Sequence, residues 1–271
     1  MNSTGARALI DVLLEQGVDT VFGYPGSAVL DIYDELYKCD KIRHILTCHE
    51  QAAAHAADGY ARATGRTGVV IATSGPGATN LVTGIAAAYM DSSPVVAITG
   101  NVKTSLLGSD SFQEVDIAGV TMPVTKYSFI ASGERGVAQD VREAFSIAQS
   151  GRKGPVLVDI PADIAAQSEE YERAPKSEPA PAKEPEKAEL ERAAQMIEKA
   201  KRPLIYVGGG AISSGASDAL KTFAQKLHIP VACSMMGLGA YPCSAELFLG
   251  LVGMHGNPAA NMAALNCDLL I

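Results

Sequence analysis

The sequence predicts an α/β fold: a doubly wound, mainly parallel sheet followed by part of a second, Rossmann-like α/β domain. Three observations carry that prediction. Segments with helical spacing of apolar residues alternate with short strand-like segments from about residue 3 to residue 160, the alternation that builds a parallel sheet covered on both faces. Two of the strand-like segments, Gly68-Val-Val-Ile-Ala-Thr73 and Pro94-Val-Val-Ala-Ile-Thr99, are almost uninterruptedly apolar, as strands buried on both sides are. A shorter run of the same alternation follows a Pro- and Glu-rich interruption.

The elements follow in chain order. Ser3 or Thr4 can cap a helix running to about Gln16, with Leu9, Ile10, Leu13 and Leu14 on one face and Gly17 as its stop. A strand is expected at Thr20–Tyr24 and, after Pro25-Gly26, a helix carrying Val29, Leu30, Ile32, Tyr33 and Leu36. A strand around Ile42–Thr47, a helix over Glu50–Thr64 and the strand Val69–Thr73 come next. A helix opening at Pro76 leads to the strand Val95–Thr99, and a helix near Val137–Gln149 with the strand Pro155–Ile160 closes the domain. Right-handed crossovers gather the loops that follow such strands on one edge, where ligands bind.

From about Ala166 to Pro185 the composition shifts to Glu, Lys, Pro, Ala and Ser, with Pro175, Pro179, Pro181 and Pro185 interrupting any helix. The expected organisation is therefore a domain over 1–165, a linker over 166–188 and a second, partial domain over 189–271. That last part begins with a helix near Leu190–Ala200, the strand Pro203–Val207, the run Gly208-Gly209-Gly210 and another helix. Cys267–Ile271 reads as the start of a buried strand, so the chain is expected to be a fragment.

Composition excludes several functions. With 47% hydrophobic residues in 271, the chain can build a sizeable core. Its apolar runs fall far short of the ~20 residues of a membrane span, and its amino terminus lacks the basic start and apolar stretch of a secretory signal. A cytoplasmic protein is expected. The net charge of −8 and the lack of a Lys/Arg cluster argue against a nucleic-acid partner. Cys39, Cys48, Cys233, Cys243 and Cys267 include no C-x-x-C pair and are expected to be reduced and mostly buried.

Single motifs read plainly when taken alone. Glu50, between His49 and Gln51, would be a first-turn acid favoured by the helix dipole; His49 and His55 lie too far apart for a zinc pair on one helix face. Thr73-Ser-Gly-Pro-Gly77 is either a tight strand-to-helix turn or a place where a ligand meets backbone, and it has neither the G-K-[ST] of a P-loop nor a G-x-S-x-G elbow. Phe112 reads as core and Gln113 as loop; Arg152 reads as a solvated loop residue and His255 as a structural histidine. Gly208–Gly210 lacks the third glycine of a dinucleotide fingerprint.

Read together, the phrases say more. Phe22-Gly-Tyr-Pro-Gly26, His49-Glu-Gln51, Asp58-Gly-Tyr-Ala-Arg-Ala-Thr-Gly65 and Thr73-Ser-Gly-Pro-Gly-Ala-Thr-Asn80 occur in order. Ala88-Tyr-Met-Asp91 and Asp110-Ser-Phe-Gln-Glu114 follow. This series resembles acetolactate synthase catalytic subunits, within the thiamine-diphosphate enzymes, over essentially the whole chain.

The resemblance implies a function and a site. It makes Glu50 the carboxyl group that contacts the aminopyrimidine ring of thiamine diphosphate and stabilises the imino tautomer, whose nitrogen takes the thiazolium proton. It places Tyr24, Pro25 and Gly26 beside the reacting carbon, Thr73, Pro76, Gly77 and Asn80 around the pyrimidine, and Phe112 and Gln113 in the substrate cavity. Arg152 would contact the phosphates of a structural FAD, with Gly208, Gly209, Gly210, Met254, His255 and Gly256 against the flavin. The implied reaction joins two 2-oxo acids, pyruvate first, with loss of carbon dioxide. The implied assembly is a homo-oligomer with its active site between subunits, with a small regulatory subunit as a further partner.

Three departures stand out. Ala162 occupies a position where the synthases carry lysine, and Lys103 one where proline is common. The Gly-Asp-Gly segment that holds Mg2+ and the diphosphate is not in these residues, so no metal ligand is expected here and the chain alone is expected to be inactive. A pyruvate oxidase, an oxalyl-CoA decarboxylase, a sulfoacetaldehyde acetyltransferase or a non-catalytic short partner stay open as alternatives; Phe112-Gln113 favours the synthase, and Ala162 leaves room for the others.

Overall fold

The structure, a computed structural model, describes residues 2–176 and 184–271. It divides into two compact units, Met1–Ala182 and Lys183–Ile271.

The first unit begins with the short strand β1 (Asn2–Thr4) and helix α1 (Gly5–Glu15), whose amino end is capped by the Thr4 hydroxyl accepting from the Arg7 N–H at 3.2 Å. Then come β2 (Thr20–Tyr24), α2 (Leu30–Tyr37), β3 (Arg43–Leu46), α3 (Glu50–Thr64) and β4 (Gly68–Ala72). The helix expected at Pro76 is two helices, α4 (Pro76–Asn80) and α5 (Val82–Met90). β5 (Val95–Asn101), α6 (Ile117–Thr121), β6 (Tyr127–Ile130), α7 (Val137–Gln149), β7 (Val156–Pro161), α8 (Ala162–Ala166) and β8 (Ser168–Glu170) complete the unit.

Six of these strands form one sheet in the order β3-β2-β4-β5-β7-β6, every pair parallel. Its side chains alternate between two cores. Val69, Ile71, Val96, Ile98, Val156, Val158 and Ile160 pack with α1, α2 and α7. Val70, Ala72, Val95, Ala97 and Leu157 pack with Ala53, Ala54 and Ala57 of α3 and with Ile85 and Ala88 of α5. Burying each branched side chain stabilises the sheet by about 1.5–3 kcal/mol, which is why the apolar strands lie at its centre.

One strand was missed and three expectations need correction. β6, a half-exposed four-residue strand, lies outside β7. The linker does not begin at 166, because β8 pairs antiparallel with β1. Beyond it, the Tyr171 hydroxyl and the Ala174 N–H donate to the Glu15 carboxylate at 2.5 and 2.9 Å. Arg142 grips the same buried carboxylate with two 2.9 Å bonds, so the segment through Ala174 belongs to the first unit. At its other end the linker stops before 188, since a helix starts at Lys187 behind a Glu186–Glu189 capping box; Pro179 and Pro181 lie outside the described residues. Finally, the five cysteines are free as expected, but only Cys233 is fully buried, and Cys48 and Cys243 are exposed.

The second unit contains α9 (Lys187–Lys199), β9 (Pro203–Val207), α10 (Gly209–Ser213), α11 (Ser217–Leu227) and β10 (Val231–Cys233). β11 (Phe248–Leu251), α12 (Pro258–Asn266) and β12 (Leu269–Leu270) follow. Its four strands are parallel in the order β11-β10-β9-β12, and the Asp268 carboxylate ties β12 to the start of β9 by accepting from the Lys201 and Arg202 N–H groups at 2.8 Å.

Candidate active site

Because β3, β2 and β4 are neighbours, the segments that leave their carboxyl ends converge. His49 caps α3, its ring nitrogen accepting from the Gln51 N–H at 3.1 Å. Glu50 is therefore the first residue of the helix, and its side chain turns inward to 9% exposure. One carboxylate oxygen, Oε2, accepts from the side-chain amide of Asn80, at the end of α4, at 2.9 Å. The other, Oε1, has no hydrogen-bond partner among the described residues and faces Gly77, where a Cβ would stand 3.3 Å from it and 2.7 Å from Thr73 Cγ2. Only glycine lets the turn come this close to both side chains.

Thr73 is the hub of this edge. Its hydroxyl accepts from the Ala28 N–H at 3.3 Å, and Gly26 lies against its side chain. Tyr24 and Pro25 stand exposed beside them. Pro76 occupies the first turn of α4, also exposed, and the neighbouring Gly75 adopts φ +57° with the backbone of Gln113 lying over it. Gln113 itself has φ +57°, and Phe112 is 86% exposed. Thus Phe112 is not core, and the structure brings Gln113 to the turn beside Glu50 while leaving the Phe112 ring uncovered.

Beneath this edge, Tyr33 reaches the Ile71 carbonyl at 3.4 Å and lies 3.3 Å from His44 Nε2. Burial, and then the charge of Glu50, push the Tyr33 hydroxyl well above its ordinary range; it stays a neutral hydrogen-bonding group.

Arg152 lies elsewhere, before β7 and so at the amino-terminal edge of the sheet. It donates to Ser92 Oγ at 2.7 Å and to the Met90 carbonyl at 3.4 Å. In the second unit Gly208–Gly210 follow β9, and Met254, His255 and Gly256 follow β11. Both phrases thus leave the carboxyl edge of one sheet, with β10 between their strands. Gly209 packs against Met236, and Met254 and His255 are exposed. Ala162 opens α8 directly after β7, and Lys103 is exposed on the loop after β5. Among the described residues no group of three or more His, Cys, Asp or Glu could hold a metal ion, and no helix is long and apolar enough to cross a membrane.

Sequence reasoning missed one feature of this edge. Asp159, in the apolar strand β7, is fully buried; its carboxylate accepts from the Thr99 hydroxyl at 2.6 Å and from the Asn101 amide. The available signal was polar residues at the ends of otherwise apolar strands.

A parallel α/β sheet with a buried, half-satisfied carboxylate at its carboxyl edge is a frame for an organic cofactor that needs one acid partner. Comparison with known families agrees. The thiamine pyrophosphate enzyme N-terminal TPP binding domain matches residues 3–120, and the central domain of the same enzymes matches residues 190–271. The chain belongs to the thiamine pyrophosphate enzymes.

Within that family it is similar to acetolactate synthase large subunits. It is 51% identical to the acetolactate synthase large subunit of Corynebacterium glutamicum over 99% of this chain and 43% of that protein. It is 48% identical to the acetolactate synthase isozyme 3 large subunit of Escherichia coli, over 98% of this chain and 47% of that one. The probable acetolactate synthase large subunit of Methanocaldococcus jannaschii is 50% identical over 98% and 46% respectively. The chain spans less than half the length of these relatives.

Proposed function

We propose that residues 1–271 are the cofactor-activating part of an acetolactate synthase large subunit, which condenses two 2-oxo acids, pyruvate first, with loss of carbon dioxide. The observation that carries this reading is Glu50. A carboxylate held by Asn80 on one oxygen, with the other facing Gly77 and without a partner among the described residues, suits one ring nitrogen of an aminopyrimidine. Thiamine diphosphate, when bound, supplies the nucleophilic carbon that protein side chains lack.

The chain's own residues would do the rest. Glu50 holds and returns one proton at Oε1. Asn80 fixes its rotamer. Thr73, Pro76 and Gly77 form the wall against the ring, and Tyr24, Pro25 and Gly26 leave room for substrate. Gln113 and Phe112 would meet the 2-oxo acid. FAD would lie against Gly208, Gly209, Gly210, Met254, His255 and Gly256, with Arg152 toward its phosphates. Ligands for Mg2+ and the diphosphate would come from sequence outside these residues, in a cytoplasmic homo-oligomer joined by a small regulatory subunit.

The test uses a complete large subunit that carries residues 1–271, supplied with thiamine diphosphate, Mg2+ and pyruvate. Acetolactate should form, Glu50→Gln should lower its rate at least 100-fold, and residues 1–271 alone should form none. Activity retained by Glu50→Gln would remove the assigned role. Ala162, where the synthases carry lysine, favours a second reading as another thiamine-diphosphate enzyme; acetate or acetyl phosphate as the main product would select it.

A further inference from the structure

The apolar stripes of β5 and β7 that face α3 and α5 change character at their carboxyl ends. On β5 the stripe runs Val95, Ala97, Thr99, Asn101, and on β7 it runs Leu157, Asp159, with Thr99 and Asp159 in register. All three polar side chains are buried, where an unpaired polar group is costly. They bond to one another, and the chain of bonds leads outward: the Asn101 side-chain oxygen accepts from the Val102 N–H at 2.8 Å. Two residues on, the Asp163 carboxylate at the start of α8 accepts from the Thr104 N–H at 2.9 Å and from its hydroxyl at 2.5 Å.

These bonds hold the beginning of the loop 102–116, and its end returns to the same place. Asp116 caps α6 by accepting from the Gly119 N–H at 2.9 Å, and α6 packs on β7. Between the two ends, Asp110 and Gln113 take φ of +54° and +57°, a conformation that non-glycine residues keep only when their surroundings impose it. The loop carries Phe112, and its Gln113 backbone lies over Gly75, next to the turn that faces Glu50.

We propose that Asp159, through Asn101, and Asp163, through Thr104, are positioning residues that hold the loop 102–116 over the Gly75 turn, so that the place of Phe112 and Gln113 is set from the neighbouring strand β7. The substrate consequence rests on the function proposed above; the positioning itself does not.

Hydrogen–deuterium exchange on the 271-residue chain tests the positioning without any catalysis. Asn101→Ala should speed exchange of the 102–116 amides by about tenfold or more and leave those of β5 and β7 within about twofold. Asp159→Asn keeps an acceptor for Asn101 and should leave the loop as in the wild type, whereas Asp159→Ala should not. Thr104→Val, an exposed change that threatens no core, should loosen residues 103–107. An unchanged loop in Asn101→Ala and Thr104→Val would overturn the proposal. So would equal damage from the two Asp159 variants, or loss of protection in β5 and β7 together with the loop. In a complete subunit carrying residues 1–271, Asn101→Ala should raise the KM for pyruvate about tenfold with kcat within about threefold, and a fall in kcat alone would count against it. If the parent subunit makes no acetolactate, the functional reading fails while the exchange result still decides the positioning.

Discussion

Asn80 donates its side-chain amide to the Glu50 carboxylate at 2.9 Å across 30 residues of sequence, joining the end of α4 to the first turn of α3. Because Glu50 is buried, this single bond decides which oxygen stays available at the strand edge. Asn80→Ala should leave a buried charged acceptor unsatisfied and destabilise the chain by about 1–3 kcal/mol. Asn80→Asp should be worse, since it sets two carboxylates together. Urea unfolding of the two variants checks both the loss and its order.

Gly77→Ala asks whether that edge is as tight as the geometry says. Its Cβ would stand 2.7 Å from Thr73 Cγ2, well inside contact distance, and overpacking of this kind costs about 1–3 kcal/mol. Gly26→Ala meets Thr73 at 2.5 Å and should cost a similar amount. Cutting Thr73 back to serine removes the offending methyl, so Gly77→Ala with Thr73→Ser should recover much of the stability in a double-mutant cycle.

Asp159 predicts a pH dependence. Burial is the main cause that pushes its carboxyl from 3.8 up to about 7, against the lowering effect of Thr99 and Asn101. The folded chain therefore binds more protons than the unfolded chain between those values, and its stability falls as pH rises through the window. Asp159→Asn carries no charge to desolvate, so it should be more stable than the wild type at pH 8 by roughly 2–4 kcal/mol and about equal to it near pH 4. His44, which burial holds below its ordinary value, adds a slope of the opposite sign common to both proteins. The difference between their urea midpoints at each pH is the measurement.

Glu15 predicts the reverse. Burial raises its carboxyl, but the Arg142 and Tyr171 side chains and the Ala174 N–H outweigh burial and hold it below the ordinary range. The stability it contributes is present above the unfolded value near 4.5 and is lost as pH falls through the folded one. Glu15→Gln should weaken the grip on residues 171–174, and limited proteolysis should then cut after Arg173 at least several-fold faster, with the strands of the sheet still protected.

Much of this architecture was legible because it rests on local pattern. Val69–Ala72 and Val95–Ile98 are apolar at every position, short and rich in β-branched side chains, which together mark strands covered on both faces; Thr4, Gly17 and Gly65 mark helix ends by their own chemistry. β1, β6 and β8 were not legible. Each has three or four residues, too few to show a period, and β1 and β8 exist only because they pair with each other.

The sequence by itself determined the longer helices, the central strands of the first sheet and the proposed acid, Glu50, since these follow from local spacing and from phrases met in a fixed order. Only the tertiary structure decided that Asn80 takes one oxygen of Glu50 and leaves the other facing Gly77, that Phe112 lies open rather than in the core, and that Asp159 is buried beneath both ends of the loop carrying it. Contacts across 30 to 60 residues depend on how strands are ordered in the sheet, and neither residue of such a pair carries the other's position in its own neighbourhood.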